Sequence, residues 1–431
     1  MTTAAFLRYR LQRRLASARR LPGKVTHNER VLYTEVIFQA ISDSGALAFL
    51  SVFLVRLGAP SWLVGLFSSL PALVTMASAF PAGAFVQRQR SLVKTVNGSR
   101  LLFRSVVGAF ALLPLLPVTI APYIMVVAYS LAAIPSSVLN VSFTTLLGQA
   151  VPTARRPGLL STRLAIHGMM ATVVGFAAGQ WLDWAPYPLN YQVLFGSAIA
   201  AGVGGVLVLS RFREAPTSAA ALPPRTRVSL RQMWALLMGI PAFRKYATAT
   251  LVFRLTMSMP TALYPIFRVR ELGASDAWIG AMLTVERLLS VFAYFALARL
   301  LTKPRYRRWL WITCTGMAFY PFVTSLARTP EMLLLAALVG GLFSGGMNIF
   351  LTETLLQASP EDDRPTFIAA NSFLVNVTAF VGLMLGTALA GFTGTTLALA
   401  IIGGLRFVSS LSFWRLGVGL EKESAPAEAV E

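Results

Sequence analysis

The sequence is poor in the residues that most binding and catalytic chemistry uses. One cysteine, Cys314, stands among 431 residues, so no intrachain disulfide can form. The two histidines, His27 and His167, lie far apart with no Cys-x-x-Cys beside either, and no metal site can be read from their spacing. No Gly-Lys-Ser or Gly-Lys-Thr follows the glycine-rich stretch 340–346 (GGLFSGG), so a nucleotide-binding phosphate loop is missing as well. No metal, nucleotide or other cofactor is therefore expected. Charge is scarce too: 13% of residues are charged, against about a quarter in an ordinary soluble domain. Acids are the scarcest, with 17 Asp+Glu against 38 Lys+Arg and a net charge of +21. A nucleic-acid-binding protein would carry such an excess in a basic soluble domain. No segment here is long enough to form one, so no nucleic-acid partner is expected.

What is abundant is apolar. Hydrophobic residues make up 55% of the chain, and the mean hydropathy is +0.64. They come in runs of about twenty, the length that crosses a bilayer as a helix. Twelve such runs can be marked. The first six cover roughly 31–55, 62–85, 103–120, 121–147, 159–182 and 190–210, and the last six roughly 246–267, 277–301, 309–327, 331–357, 366–392 and 395–416. The expected class is an all-α membrane protein, because a lipid-exposed chain must satisfy its own backbone hydrogen bonds. The basic residues test the count. Assigned to alternate sides, the connections leave only Arg56, Arg268, Arg270 and Arg328 on one face and nearly all the rest on the other. The positive-inside rule then puts both termini in the cytoplasm of a plasma membrane. The N-terminal arm, FLRYRLQRRLASARR, sets Leu7, Leu11 and Leu15 at helical spacing among arginines. It reads as a basic amphipathic helix on the bilayer surface, with a transit peptide as the alternative.

The chain also repeats itself. Residues 57–65 read LGAPSWLVG and residues 272–280 read LGASDAWIG, an offset of 215. Residues 140–157 read NVSFTTLLGQAVPTARRP and residues 348–365 read NIFLTETLLQASPEDDRP, an offset of 208. Turn chemistry explains the residue types, with Pro ending one helix and Arg-Pro opening the next. It does not explain their recurrence in order. The expected division is a basic arm over 1–30, a six-helix bundle over 31–212, a central loop over 213–243, a second bundle over 244–416 and a tail over 417–431.

With two related bundles, cytoplasmic termini and a long central loop, the chain resembles the major facilitator superfamily over residues 31–416. The loop after the second span, GAFVQRQR, is similar to that superfamily's Gly-x-x-x-Asp-Arg-x-Gly-Arg element. Gly83 and Arg88 match it, while Gln87 replaces the Asp and Arg90 replaces the second Gly. The Gly-Pro motif that drug–proton antiporters carry in the fifth helix is missing from LAIHGMMATVVGFAAGQW, and the fourth-helix Arg is missing from AYSLAAIPSSVLN. The resemblance implies twelve helices in two pseudo-symmetric bundles. It also implies a substrate site at the midplane, among spans one, four, seven and ten. It does not single out a subfamily.

Ionisable groups inside spans are costly and usually face a cavity or a partner. Glu35, Gln39 and Asp43 fall at i, i+4 and i+8 on one face of the first span. Asp43 would lie roughly 18 Å in from Val31, near mid-membrane. Offset 215 carries Gln39 onto Arg254 of the seventh span, which would either bind an anionic group or pair with Asp43 or Glu286. Glu286 and Arg287 are helix neighbours that cannot share one partner. Glu353 reads as a gate or structural charge. Asn140 and Asn348 are repeat-related and either line the cavity or hold helices together. His167 either titrates or packs neutral, and Arg406 reads as structural or lipid-facing. Glycines in 175–179 and 340–346 fit close helix contact. The expected activity is gradient-driven transport of a small organic solute by alternating access, by a monomer in the lipid bilayer. It would be proton-coupled through Asp43 or Glu286, with Arg254 as counter-charge or anion ligand. The alternatives are an uncoupled facilitator or lipid flippase on the same fold, and, from another class, a membrane-embedded sensor or enzyme.

Overall fold

The computed structural model describes residues 26–150, 155–214, 239–298, 306–359 and 364–418. Residues 1–25 of the N-terminal arm, most of the central loop and residues 419–431 of the C-terminal tail lie outside these residues, and the first helix begins at His27 rather than near 31. Every regular element among the described residues is a helix. Ten helices are long and apolar enough to cross a membrane. The other two crossings, the seventh and ninth, are broken. The seventh runs through Pro241–Ser258, a turn at Pro260, the short helix Leu263–Ile266 and a π-turn Phe267–Glu271. The ninth is Tyr306–Gly316 followed by Phe319–Leu326. Arg244, Lys245 and Arg254 dilute the apolar run of one, and each break shortens its pieces.

The breaks follow the repeat. The first span is helix His27–Ser44, a short 3-10 turn Leu47–Phe49, then helix Leu50–Arg56. Its interruption at Gly45 maps by offset 215 onto Pro260, where the seventh span breaks. The third span changes from the α-helix Leu92–Ala109 to the 3-10 helix Phe110–Leu115. Offset 208 puts that change at Met317, between the two pieces of the ninth.

The remaining spans are unbroken: the second Ser61–Gln87, the fourth Ala121–Ala150, the fifth Arg156–Trp184 and the sixth Leu189–Leu209. In the second half they are the eighth Asp276–Ala298, the tenth Leu333–Ala358, the eleventh Arg364–Thr393 and the twelfth Thr395–Arg415. Packing repeats as well. In the first half the second span meets the fourth, the first meets the fifth and sixth, and the third meets the fourth and sixth. Each pair recurs six spans later. The halves join through the fifth span on the eighth and the second on the eleventh, a swap that the pseudo-two-fold requires.

Small residues let these helices approach closely. A Cβ on Gly345 would sit 2.3 Å from the Ser290 carbonyl oxygen, and one on Gly341 would sit 2.6 Å from that of Glu286. The stretch 340–346 is therefore a helix seam against the eighth span, as its glycines suggest. At the fifth–eighth junction, a Cβ on Gly179 would lie 3.0 Å from Gly280 Cα.

The buried apolar residues form three clusters, and their placement gives the molecule its shape. One cluster draws on both halves, from Phe49, Phe53 and Leu63 to Leu263, Phe267 and Ile279. It lies at the end remote from the termini. Toward the termini the core divides. Val31, Leu32, Val96 and Leu209 belong to a cluster of the first half alone, and Phe243, Phe253, Cys314 and Phe350 to a cluster of the second half alone. The halves share one apolar core at the far end, while toward the termini each has its own.

Four arginines assigned above to connections are in helices. The third helix begins at Leu92 rather than near 103, so Arg100 and Arg104 lie within it and are buried. Arg163 is buried in the fifth helix, and Arg268 in the π-turn of the seventh span. Removing them leaves the basic residues just as unequally divided between the two faces.

Candidate functional site

The polar stripe on the first span finds its complement on two neighbours. Glu35, Gln39 and Asp43 are spaced by four, as are Arg100 and Arg104 on the third span and His167 and Arg163 on the fifth. Residues four apart stack on one helix face, so the three helices meet as ladders with matching rungs. On the first rung Glu35, 0% exposed, lies 2.5 Å from Arg100 Nη2 and 2.8 Å from Arg163 Nη1. Arg163 also donates to the Leu32 carbonyl and reaches Gln39 Oε1 at 3.4 Å. Both guanidinium groups lie over the ring of Phe143 of the fourth span, at 5.6 and 4.9 Å. On the second rung Arg104 Nη2 donates to Asp43 Oδ1 at 2.7 Å, and His167 Nε2 lies 3.4 Å from Asp43 Oδ2.

The two rungs differ in a way that matters chemically. Glu35 is sealed between two cations, a structural arrangement whose disruption leaves a charge buried without a partner. Asp43 keeps a 30% exposed side chain and His167 a 20% exposed one. Here a carboxylate, an imidazole and a guanidinium lie within contact of one another and within reach of solvent. Such a set can accept, hold and release a proton.

The second half is built differently. Arg254 pairs with neither Asp43 nor Glu286. It is half-buried, and no acid lies within ion-pair distance of it among the described residues. Its Nε is buried without a hydrogen-bond partner, as is Thr250 Oγ1 one turn earlier. The two residues border a narrow crevice between the seventh and eleventh spans with no room for a water molecule, together with Asn371 and Thr378. Glu286 accepts from the Tyr320 hydroxyl at 3.2 Å. Tyr320 in turn accepts from Arg268 Nη2 at 2.9 Å, and Arg268 lies over the Tyr264 ring. Arg287 is exposed.

Arg406 is 1% exposed, which removes the lipid-facing alternative. It donates to the carbonyls of Met317, Thr256 and Met257 at 3.0, 3.2 and 3.0 Å. These oxygens lie at the C-terminal ends of the helix pieces in the broken ninth and seventh spans. A helix C-terminus presents unsatisfied carbonyls and partial negative charge. Arg406 answers both, and so holds the two interruptions with no carboxylate.

Asn140 and Asn348 are both exposed. Each has its carbonyl bonded by the threonine one turn on, Thr144 at 2.7 Å and Thr352 at 2.8 Å, so the repeat extends to hydrogen bonds. Glu353 accepts from Gln357 on its own helix. Gly83 has open space around a would-be Cβ. Arg88 and Arg90 are exposed and without an ion pair among the described residues. The structure does not bring this loop to the polar ladders.

A second polar centre was not foreseen. At the far end Arg56 donates to Asp276 Oδ1 through Nε at 3.0 Å and Nη2 at 2.8 Å. The Tyr191 hydroxyl donates to Asp276 Oδ2 at 2.8 Å. The Asp276 amide donates to Asp183 at 2.9 Å, and Arg270 reaches the Ala59 carbonyl. Three spans of the first half thus grip the opening turn of the eighth. Arg56 and Asp276 both border the repeated LGA segments, the one signal that could have pointed here.

Comparison with known proteins agrees with this architecture. Residues 246–430 match the sequence profile of the Major Facilitator Superfamily. No curated protein matches the chain in sequence. Among solved structures, a mutant of the nucleoside transporter NupG superposes with a TM-score of 0.67 at 13% identity, covering 90% of this chain and 100% of that one. A POT family transporter in complex with a thioalcohol-conjugated peptide gives 0.67 at 12%, covering 90% and 96%. A mutant of the peptide transporter POT in complex with sulfate gives 0.65 at 15%, covering 90% and 94%. At these identities the likeness is one of fold.

Proposed function

We propose that the chain is a member of the Major Facilitator Superfamily, whose sequence profile its residues 246–430 match, and that it is a proton-coupled transporter of a small organic anion. The observation that carries this reading is the contrast between the halves. The first half offers a solvent-reachable Asp43–Arg104–His167 set, and the second an unpaired arginine, Arg254. An arginine inside a span without a counter-charge is costly, and an anionic solute supplies that counter-charge only while bound. A carboxylate or phosphate suits the guanidinium fork, which donates two parallel hydrogen bonds.

The core layout supports alternating access. A joint cluster at one end and separate clusters at the other describe one of two alternative closures about a site between the halves. With the termini in the cytoplasm, as the basic residues favour, this is the inward-facing form. Proton gain at Asp43 weakens its hold on Arg104 and changes the balance of charge across the first half. Glu286 is the second proton site, held through Tyr320. The protein works as a single chain in the plasma membrane.

The test starts with thermal shift of the detergent-solubilised protein against carboxylate- and phosphate-bearing solutes, since a binder of the folded state raises apparent stability. A hit should lose its shift in Arg254→Ala. Uptake of that solute into proteoliposomes should respond to an imposed pH gradient in wild type and become pH-independent in Asp43→Asn. Uptake by wild type that ignores the gradient would show an uncoupled facilitator instead. An unchanged shift in Arg254→Ala would refute the anion site.

A further inference from the structure

A site of another kind lies on the outer wall of the second half. The ninth and twelfth spans pack tightly toward the far end. There Arg406 binds the Met317 carbonyl, and Thr315 Oγ1 meets Ser410 Oγ at 2.9 Å. Nearer the termini the two helices part. Between them lies a groove of about 590 Å3 lined by Arg308, Leu310, Trp311, Leu411, Phe413 and Trp414. That volume falls within the roughly 300–1,000 Å3 of ligand-binding pockets.

We propose that this groove is a binding site for one anionic phospholipid, its phosphate on Arg308 and its acyl chain along Leu411, Phe413 and Trp414. The placement decides against a soluble ligand. On the twelfth span Leu397, Ile401, Leu405 and Val408 are exposed at helical spacing, and on the ninth Phe319, Phe322 and Leu326 are exposed. These are faces that only acyl chains can cover, and the groove continues them. Its mouth lies at the level of the helix ends. Tryptophan favours the membrane–water interface there, and Trp311 and Trp414 supply it.

Charge supplies the second half of the argument. Arg308 is exposed, sits in the first turn of Tyr306–Gly316 and makes no ion pair among the described residues. Arg415, also exposed, closes the twelfth helix beside Trp414. In sequence Arg308 belongs to the run KPRYRRW. The start of a helix adds its own partial positive charge. Basic pockets between spans on the cytoplasmic side are where anionic headgroups bind. The site is independent of the transport reading, since neither span is one of the four expected to line the central cavity.

Native mass spectrometry of the full chain, taken from nanodiscs of phosphatidylcholine containing a minor share of phosphatidylglycerol, tests this. Wild type should retain one phosphatidylglycerol in preference to phosphatidylcholine. Arg308→Ala should retain it about fivefold less, the effect of one basic contact near a headgroup. Leu411→Trp fills the groove without changing charge and should abolish retention, with the thermal unfolding of both variants confirming that they fold. Equal retention of the two lipids by wild type would overturn the proposal. So would undiminished retention in Leu411→Trp. Stabilisation by inorganic phosphate as large as that by the lipid would also overturn it, because the site would then serve a soluble anion.

Discussion

Two buried ion clusters a turn or two apart, built from the same residue types, behave in opposite ways. Glu35 has two arginines and no access to water, so it is fixed in place. Glu35→Gln leaves Arg100 and Arg163 sharing no anion, and breaking a buried pair costs about 3–5 kcal/mol. The variant should show a clearly lowered thermal unfolding temperature in detergent, and a wild-type temperature would show that the arginines have other partners. The sequence made Glu35, Gln39 and Asp43 visible because their spacing is regular and their depth unusual. Their partners were obscured by a boundary. Arg100 lies near a helix start that hydropathy alone puts too late, since a buried arginine lowers the very average that marks a span, while Arg104 and Arg163 fall at the first turns of marked spans and count with the connections. Arg254 was visible by symmetry, but its lack of a partner is a three-dimensional fact.

At the scale of the element, the repeat carried the most information. Offsets of 215 and 208 place the interruptions of spans one and seven, and of spans three and nine, without reference to hydropathy. The seventh and ninth crossings were legible as apolar runs but not as broken helices. What holds each break is a distant residue, Arg406, and no local pattern announces that role. The glycine seam between spans eight and ten was legible in kind but not in partner. Gly345→Val places new atoms against the Ser290 carbonyl and should cost about 1–3 kcal/mol through overpacking. Its readout is the same thermal unfolding, with Gly391→Val as control, since a Cβ there meets open space. Equal loss in both variants would show that the seam tolerates separation.

For the whole molecule, the proposed alternation between closures can be tested at the ion pair that joins the halves. The grip on Asp276 joins the halves at the far end. Arg56 is a third exposed and Asp276 buried, so on the proposed alternation their pair, worth on the order of 1 kcal/mol, would bias the balance without locking it. Arg56→Ala should let the far end open more often. A cysteine replacing the fully buried Ser69 should then react with a water-soluble maleimide roughly three- to fivefold faster than in the Arg56 background. An unchanged rate would place the seal in the shared apolar cluster instead. This experiment is clean because of the chain's one native thiol. Cys314 is completely enclosed among Phe253, Met317 and Phe350 in the second half's own cluster, so an aqueous thiol reagent has no native target. Spectroscopic labels can thus be attached in chosen pairs without first stripping the protein of cysteine, and the spacing of the two halves can be followed as a distance with and without added solute and across a range of pH.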